Sequence, residues 1–454
     1  MITELLSPAG SLKNMRYAFA YGADAVYAGQ PRYSLRVRNN EFDHENLKIG
    51  IDEAHALGKK FYVVANIQPH NSKLKNFIRD IEPIIAMQPD ALIMSDPGLI
   101  MMVREHFPDM PIHLSVQANA INWATVKFWK DYGLSRVILS RELALEEIEE
   151  IQKNVPEIEL EVFVHGALCM AYSGRCLLSG YMNKRDANQG ACTNACRWEY
   201  KIHKAQEDAN GDVIPVQQKE PSKQCCSNKV QDDLVQSVLV QRNDEEMFAA
   251  EEDEHGSYFM NSKDLRAIQH VDRLTHMGIA SLKIEGRTKS YFYCARTAQI
   301  YRKAIDDALS GQPFDSSLMD QLEGLANRGY TEGFLRRHVH SDYQNYEDGS
   351  SHFDYQQFCG EIIERNGDYV QVEVKNRFLV GDTLELMTPK GNLVFTLTEM
   401  RDLKGHPIDN AKGSGHIVNI PLSADIDIAY ALLIRHLPHA KTQLKTDALA
   451  YSAD

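Results

Sequence analysis

The apolar positions of the first 310 residues repeat one unit, a short apolar strand, a polar turn and an amphipathic helix. Apolar runs predict strands at residues 4–7, 24–29, 60–67, 91–95, 112–117, 136–140, 160–165 and 281–285. Eight such strands, each followed by a helical pattern, favour a closed parallel barrel. A doubly wound open sheet is the alternative, but no GxGxxG motif follows the first strand.

Capping residues delimit the first two predicted helices. Ser11 and Asp43 are suitable N-caps, and Gly22 and Gly58 are suitable C-terminal stops. Later helices are predicted at residues 72–86, 98–107, 122–132, 142–153, 263–277 and 288–309. The predicted fold class is therefore α/β, with a TIM-like (β/α)8 barrel over residues 1–340 as the catalytic domain.

Residues 166–258 interrupt the repeat between the seventh strand and its helix. The first part of this insertion contains a group of cysteines. The second part, residues 201–256, is polar and rich in Lys, Gln and acidic residues, which predicts a mobile segment.

The pattern changes to short alternating strands in the last quarter of the chain. Residues 341–356 are polar and indicate a linker. Alternating segments such as YVQVEV and DTLELMT, separated by turns, predict a small antiparallel β-barrel at residues 357–436. Residues 437–454 are predicted to be a disordered tail.

Composition and charge narrow the function classes. The 454-residue chain has a net charge of −14, which argues against binding of polyanions by a generally basic surface. Residues 244–254 carry seven carboxylates and no Lys or Arg, so the remainder carries −14 − (−7) = −7, and local basic surfaces are still compatible. The start shows no secretory signal, and no segment has the ~20 apolar residues of a membrane span, so we expect a cytoplasmic protein.

Four of the eight cysteines form the strongest chemical signal in the sequence. Cys169, Cys176, Cys192 and Cys196 follow the pattern C-x6-C-x15-C-x3-C. Thiolates in one segment can hold zinc, copper(I) or an iron–sulfur cluster. Structural zinc usually has two C-x2-4-C pairs, whereas only Cys192 and Cys196 have that spacing, and iron–sulfur ligands tolerate more varied spacing. Structural zinc and unligated buried thiols remain alternatives.

The position of Cys169 in the predicted barrel favours a redox or substrate-activating role. It follows the seventh strand by only a few residues, and active sites in such barrels lie at the C-terminal ends of the strands. Polar side chains also end several strands: Asn66, Gln117, Asn119, Arg141, Glu142, His165, Lys283, Glu285 and Arg287.

Four of these strand-end residues are the candidate catalytic groups: His165, Lys283, Glu285 and Arg287. The cations Lys283 and Arg287 would suit an anionic substrate such as a carboxylate or a phosphate. His165 is equally compatible with a core histidine that is hydrogen-bonded to its neighbours.

Basic residues mixed with aromatic ones lie in the predicted mouth loops and indicate single-stranded RNA binding. The basic candidates are Arg32, Arg36, Arg38, Arg175, Lys184, Arg185 and Arg197. Tyr33, Tyr172, Tyr181 and Trp198 are interspersed among them. A solvated rim with internal ion pairs is the alternative.

Several catalytic motifs are absent from the sequence. It contains no HExxH, GxSxG or GxxxxGK[ST] motif, and no CxxxCxxC run of the radical-SAM type. The sequence therefore gives no support to zinc or serine hydrolysis, or to P-loop chemistry.

Long motifs resemble those of the collagenase-like peptidase family, class U, thirty-second family. They are ELLSPAG, GADAVYAG, FVHGALCMAYSGRCLLSG, NACRWEY, MNSKDL, SLKIEGRTKS and NRGYTEGF, and the resemblance extends from about residue 3 to residue 436. The members most similar to this chain are iron–sulfur proteins that hydroxylate RNA or ubiquinone precursors. The resemblance thus implies a four-iron four-sulfur cluster on Cys169, Cys176, Cys192 and Cys196.

The resemblance also implies a reaction, a co-substrate and a partner. The most similar members convert the wobble uridine of some tRNAs to 5-hydroxyuridine, the first step toward uridine 5-oxyacetic acid, with a dependence on prephenate. A wobble uridine lies in a single-stranded loop and can turn into a pocket at little unstacking cost. We therefore expect loops at the mouth to bind the tRNA anticodon arm, and Lys283 and Arg287 to receive prephenate.

Other functions are compatible with the sequence alone. A true peptidase, a hydroxylase of a ubiquinone precursor and a zinc-stapled RNA-binding module each remain open. The oligomeric state is not predicted.

Overall fold

The structure of the chain is a computed structural model. It describes residues 3–30, 32–35, 41–168, 263–325, 327, 329–336 and 356–437, together with the backbone of five strands between residues 201 and 257.

Eight parallel strands close into a barrel. Hydrogen-bonded neighbours run in the order β14-β1-β2-β3-β4-β5-β6-β7, and β14 also pairs with β7, which completes the circle. The barrel strands are β1 (Glu4–Pro8), β2 (Ala25–Gly29), β3 (Lys60–Ala65), β4 (Ala91–Met94), β5 (Ile112–Leu114), β6 (Arg136–Ile138), β7 (Glu159–Ala167) and β14 (Ser281–Ile284). The predicted TIM-like barrel is confirmed.

Helices follow the barrel strands and form the outer layer. They are α1 (Leu12–Ala20), α2 (His44–Ala56), α3 (Asn71–Ile85), α4 (Pro97–His106), α5 (Trp123–Asp131), α6 (Leu145–Asn154), α7 (Val271–His276), α8 (Tyr291–Leu309) and the short α9 (Ser317–Glu323). Ser11 and Asp43 accept backbone hydrogen bonds as N-caps, as their positions predict. None of the described helices is both long enough and apolar enough to cross a membrane.

Several predicted bounds differ from the structure by one to three residues, and two predicted elements differ for a reason that the structure shows. The strand predicted at 112–117 ends at Leu114, because the Ser115 hydroxyl accepts from Gln117 N and starts a 3-10 turn over Val116–Ala118. The helix predicted at 263–277 is wrong in its first part. There, β13 (Asp264–Arg266) pairs antiparallel with the C-terminal end of β7 and parallel with β15 (Tyr330–Thr331), so edge pairing prevails over the helical pattern.

The insertion contains a small antiparallel sheet. Its strands, in the order β12-β11-β10-β8-β9, are β8 (Lys201–Glu207), β9 (Val213–Pro215), β10 (Ser237–Gln241), β11 (Phe248–Asp253) and β12 (Gly256–Ser257). The predicted mobility of residues 201–256 stays a prediction.

The C-terminal domain contains an antiparallel sheet, as its alternating pattern predicts, and the closure of this domain into a small β-barrel stays a prediction. A six-stranded sheet has the order β20-β19-β23-β16-β17-β22, and β18 pairs with β21. The strands are β16 (Gln356–Asn366), β17 (Tyr369–Val374), β18 (Phe378–Leu379), β19 (Thr383–Thr388), β20 (Gly391–Thr396), β21 (Asn410–Ala411), β22 (Ile417–Pro421) and β23 (Leu432–His436). The predicted disordered tail lies outside the described residues, apart from Leu437.

The two domains share a packed interface along α8. The Arg296 side chain is only 1% exposed, and its Nη1 donates to Glu385 Oε1 of β19 at 2.8 Å. Glu385 also lies 3.0 Å from His436 Nε2. Phe292 stacks on Phe358 with ring centroids 4.8 Å apart. The interface therefore combines apolar contact with a buried ion pair.

We predict that Arg296→Met lowers the free energy of unfolding by about 3–5 kcal/mol, because it leaves the buried Glu385 carboxylate without its guanidinium partner. Arg273→Met is the matched control, since Arg273 is exposed and pairs with Glu146 and Glu149 at the surface. Its cost should stay below about 1 kcal/mol. Chemical denaturation measures both, and equal stability of the two variants would contradict the predicted importance of the buried pair.

Candidate active site

A cavity of about 100 Å³ lies at the mouth of the barrel, where the strands have their C-terminal ends. It is lined by Tyr27, Leu35, Val64, Asn66, Ile93, Ser115, Val116, Gln117, Ile138, Arg141, Phe163, Lys283, Glu285 and Arg287. Three of the four candidate catalytic residues thus share one cavity, and His165 is the exception. Three cations and one carboxylate are present in this lining, so its formal charge is 3 − 1 = +2.

Lys283 is held in a fixed position in the wall of this cavity. Its side chain is 4% exposed, and Nζ donates to Glu161 Oε1 at 2.7 Å. The ammonium also lies 4.3 Å from the ring centroid of Tyr27 and 5.3 Å from that of Phe163. Burial lowers the pKa of Lys283, while Glu161 and Glu285 oppose that shift.

Glu161 links Lys283 to a chain of buried charges inside the barrel. Glu161 is 0% exposed and lies 3.1 Å from Arg136 Nη1, which in turn donates to Glu4 Oε1 at 2.7 Å. Tyr62 donates to the other Glu4 oxygen at 2.7 Å. Two cations and two carboxylates therefore alternate from the mouth toward the opposite end of the barrel.

Apart from Lys283, the members of this charge chain are absent from the residues selected by the sequence analysis, although the sequence contained a signal for them. Glu161 interrupts the apolar run of β7, and Lys283 interrupts that of β14. Charges at alternate positions of barrel strands point into the barrel, where a partner of opposite sign is needed.

Arg287 reaches the cavity because Gly29 leaves room for it. Arg287 Nη1 donates to Ser34 Oγ at 2.7 Å. A Cβ atom on Gly29 would lie 2.7 Å from both Arg287 Nη1 and Ser34 Oγ, so a side chain there would displace one of them. The end of β2 thus fixes the orientation of the guanidinium.

Among the described residues, Glu285 is the one carboxylate that lines the cavity. The Tyr27 hydroxyl lies 3.1 Å from Glu285 Oε2 and 2.9 Å from the carbonyl oxygen of Ile284. Burial and Glu285 raise the pKa of Tyr27 well above its ordinary value, so Tyr27 stays a hydrogen-bond donor. The backbone of Glu285 accepts from the Tyr293 hydroxyl at 2.6 Å, which ties the mouth to α8.

Further polar groups complete the lining of the cavity. Asn66 Nδ2 donates to Ser115 Oγ at 3.0 Å, and Gln117 follows in the 3-10 turn. The Arg141 guanidinium lies over the Phe163 ring, 4.0 Å from its centroid. Arg141 also donates to the carbonyl oxygen of Ala167 at the end of β7. Amide, hydroxyl and guanidinium groups therefore line the rest of the cavity.

His165 lies outside this cavity, between β7 and α8. Its Nδ1 is 3.3 Å from the Tyr301 hydroxyl, and the rings of Tyr293, Tyr301 and Tyr330 surround it. The cause is a bulge, since Phe163 pairs with Lys283 but His165 pairs with Ile284. The extra residue turns His165 toward the helix layer. This placement favours the core interpretation, and a catalytic role stays a prediction.

Most of the predicted cofactor and RNA ligands lie outside the described residues. These are Cys169, Cys176, Cys192, Cys196, Arg36, Arg38, Arg175, Lys184, Arg185 and Arg197. Within the part of the chain that is described, no group of three or more His, Cys, Asp or Glu side chains could hold a metal ion. Arg32 is described, and its exposed guanidinium donates to Asp80 Oδ2 at 2.7 Å.

Comparison with known proteins identifies similar sequences for both domains. The sequence model of peptidase family U32 matches residues 10–345, and that of the peptidase family U32 C-terminal domain matches residues 354–435. The tRNA hydroxylation protein P of Escherichia coli is 67% identical over 452 residues, which cover 96% of this chain and 99% of that protein.

Two further relatives extend the comparison. The tRNA hydroxylation protein P of Haemophilus influenzae is 65% identical over 449 residues, which cover 97% of each chain. A 23S rRNA 5-hydroxycytidine synthase of Escherichia coli is 27% identical over 402 residues, which cover 85% of this chain and 52% of that protein.

The buried position of His165 predicts a pH dependence of stability. Burial lowers the pKa of His165 from its ordinary 6.5 to about 3. Between these values the unfolded chain binds a proton that the folded chain does not, so stability falls as the pH decreases from 6.5 toward 3. The slope from this group is at most about 1.4 kcal/mol per pH unit.

Chemical denaturation between pH 7 and pH 4 measures this contribution. His165→Asn should show a shallower loss of stability than the unmodified chain as the pH falls. The same substitution at the exposed His276 is the control and should keep the original slope. Parallel curves for the unmodified chain and His165→Asn would show that His165 does not make this contribution.

Proposed function

The chain belongs to peptidase family U32, and on this basis we propose that it is a tRNA-modifying enzyme that hydroxylates C5 of the wobble uridine to 5-hydroxyuridine. The observation that carries the proposal is the similarity to tRNA hydroxylation protein P, which reaches 67% identity across both domains. The similarity to a 23S rRNA 5-hydroxycytidine synthase supports hydroxylation of a pyrimidine base in RNA. This activity belongs in the cytoplasm, where tRNA is found.

Cys169, Cys176, Cys192 and Cys196 are the proposed ligands of a four-iron four-sulfur cluster. Four thiolates in one segment are a donor set that fits such a cluster. Strand β7 ends at Ala167, and the next residue, Leu168, is the last described residue before Cys169. The segment with the four cysteines therefore begins at the C-terminal end of β7. This end is on the mouth side, where active sites of this fold lie. The cluster would supply redox chemistry when bound.

The cationic side of the mouth cavity is the proposed site for one carboxylate group of the co-substrate, prephenate. Lys283 and Arg287 both line the cavity. The Glu161 carboxylate orients Lys283, and the Ser34 hydroxyl orients Arg287. Groups held in place before binding need little reorganisation when an anion arrives. Prephenate carries two carboxylates, and guanidinium and ammonium groups are the usual partners of that group.

An unpaired nucleotide is the form of RNA that can present its base at this mouth. A base in the anticodon loop is not held by a Watson–Crick partner, so turning it outward costs little. Asn66 and Gln117 also line the cavity, and each has a side-chain amide. Amides can pair with the edge of a uracil ring, which has both donors and acceptors.

Nucleoside mass spectrometry of tRNA tests the proposed activity. Cells that lack this protein and any redundant enzyme should lose 5-hydroxyuridine and its derivatives at the wobble position. The unmodified gene should restore them, whereas Cys169→Ala should not, because one of four cluster ligands is missing. Wobble hydroxylation that persists in the deletion strain would refute the proposed function. Altered quinones with unchanged tRNA would point to a ubiquinone-precursor hydroxylase.

Substitutions in the mouth cavity test the proposed anion site. Lys283→Met and Arg287→Met should each raise the KM for prephenate at least about tenfold, since each removes a charge-assisted hydrogen bond. The affinity for tRNA and the cluster absorbance should stay unchanged. Lys153→Met and Arg273→Met remove the same charges from exposed positions in outer helices, and they should leave KM unchanged. Equal KM values in all four variants would remove Lys283 and Arg287 from the anion site.

A further inference from the structure

A second cavity adjoins the mouth. It has a volume of about 330 Å³ and is lined by Arg32, Tyr33, Ser72, Lys73, Asn76 and Asp80. Arg32 and Tyr33 belong to the loop after β2, and the other four residues lie on α3, three of them in its first two turns. Both segments follow C-terminal ends of barrel strands, so this rim cavity opens on the same side as the mouth.

The loop after β2 forms a wall shared by the two cavities. Leu35 lines the mouth cavity, and Arg32, three residues earlier, lines the rim cavity. Leu35 N donates to Asn66 Oδ1 at 3.3 Å, and Ile67 N donates to the carbonyl oxygen of Tyr33 at 3.0 Å. The two cavities therefore lie next to each other at the mouth end of the barrel, on either side of the loop after β2.

Hydrogen bonds and a ring contact hold the walls of the rim cavity in place. The buried Gln30 holds the loop by accepting from Arg32 N at 2.7 Å and from Tyr33 N at 2.6 Å. Tyr33 packs against Phe77 with ring centroids 5.1 Å apart, and its hydroxyl donates to Asp80 Oδ2 at 2.9 Å. Loop and helix are therefore fixed relative to each other.

Positive charge exceeds negative charge in this cavity. Asp80 is shared by Arg32, Arg79 and the Tyr33 hydroxyl. Lys73 is half-buried and forms no ion pair with any residue that the structure describes. Burial and the charge of Arg32 both lower the pKa of Lys73, so an anion between the two cations would relieve an unfavourable contact.

The remaining groups match those that bind nucleic-acid backbones. Ser72 and Asn76 add a hydroxyl and an amide to the two cations. The cavity also lies at the N-terminal turn of the 15-residue α3, whose N-cap residue His70 makes no side-chain capping bond. Lys, Arg, Ser, Asn and helix N-termini are the groups that contact phosphate oxygens. A volume of about 330 Å³ holds roughly ten waters, enough for a phosphate with part of its ribose.

We propose that the rim cavity binds a backbone phosphodiester of the RNA whose base enters the mouth, with Lys73 and Arg32 as the charged ligands and Ser72 and Asn76 as hydrogen-bond donors. This proposal rests on the proposed function, because it assumes an RNA substrate. The rim cavity would fix the nucleotide chain beside the base that is modified, so it sets register without reading sequence.

Binding of a tRNA with a wobble uridine, measured over a range of salt concentrations, tests this site. Lys73→Gln should weaken binding about tenfold at low salt and lower the slope of log K against log [salt] by about one, as expected for one lost phosphate contact. Arg32→Gln combined with Lys73→Gln should lower the slope by about two. Lys73→Arg should restore most of the affinity because it keeps the charge.

Lys153→Gln is the matched control. Lys153 lies in the last turn of α6, at the end of the barrel opposite the mouth, and its side chain is 70% exposed. This variant should bind tRNA as the unmodified chain does. In turnover assays, Lys73→Gln should raise the KM for tRNA and leave kcat unchanged, because the contact is the same in the ground state and the transition state. Thermal unfolding should show all variants to be folded.

The outcomes separate this proposal from the proposed function. If the unmodified chain binds and hydroxylates tRNA while Lys73→Gln and the double variant match Lys153→Gln in affinity and salt slope, the rim site is refuted alone. If the unmodified chain neither binds nor hydroxylates tRNA, the proposed function fails first. Inorganic phosphate, added at constant ionic strength, should not displace tRNA at millimolar concentration. Displacement that disappears in Lys73→Gln would assign the cavity to a free phosphate compound and overturn the RNA assignment.

Discussion

The arrangement of the mouth cavity depends on the ion pairs of Glu161, a carboxylate fully buried inside the barrel. Glu161 pairs with Lys283 on one side and with Arg136 on the other. The interior of a (β/α)8 barrel is usually filled by branched aliphatic side chains. Here Glu4, Arg136, Glu161 and Lys283 alternate in sign through that interior, each within 3.1 Å of its neighbour. A buried charge without its partner is strongly destabilising, so each member constrains the position of the next. This series of buried charges ends at Lys283, whose ammonium group is therefore held in the wall of the mouth cavity.

The fold followed from the sequence because apolar runs and capping residues act locally. The eight barrel strands begin within one residue of their predicted starts, and α1 and α2 start directly after Ser11 and Asp43. One of the two errors arises where a partner distant in sequence decides the structure, and the other arises from a local hydrogen bond. Residues 264–266 form a strand because the C-terminal end of β7 offers a free edge, and no local pattern announces that edge. The shortened β5 depends on one hydroxyl, that of Ser115, which takes a backbone donor from the ladder.

The site was predictable to the extent that strand ends converge. Lys283, Glu285 and Arg287 follow one another at alternate positions at the end of β14, and the fold brings all three to one cavity. His165 departs from this rule because a bulge in β7 reverses the face on which it lies. Bulges of this kind depend on how two strands pair, which a single sequence does not display. The roles of Glu161 and Arg136 were missed because their partners are far away along the chain.

Helix α8 connects the mouth to the C-terminal domain through two of its faces. Twelve of its 19 residues are buried. On the barrel side, Tyr293 binds the backbone of Glu285, and Tyr301 binds that of Val164. On the other side, Arg296 and Phe292 contact the antiparallel sheet. The two segments that the family models match, residues 10–345 and 354–435, are therefore joined by a packed interface in the folded molecule. Separating the two segments would leave Arg296 and Glu385 without their buried partner and would expose the rings of Phe292 and Phe358, so the segments are expected to unfold in one transition.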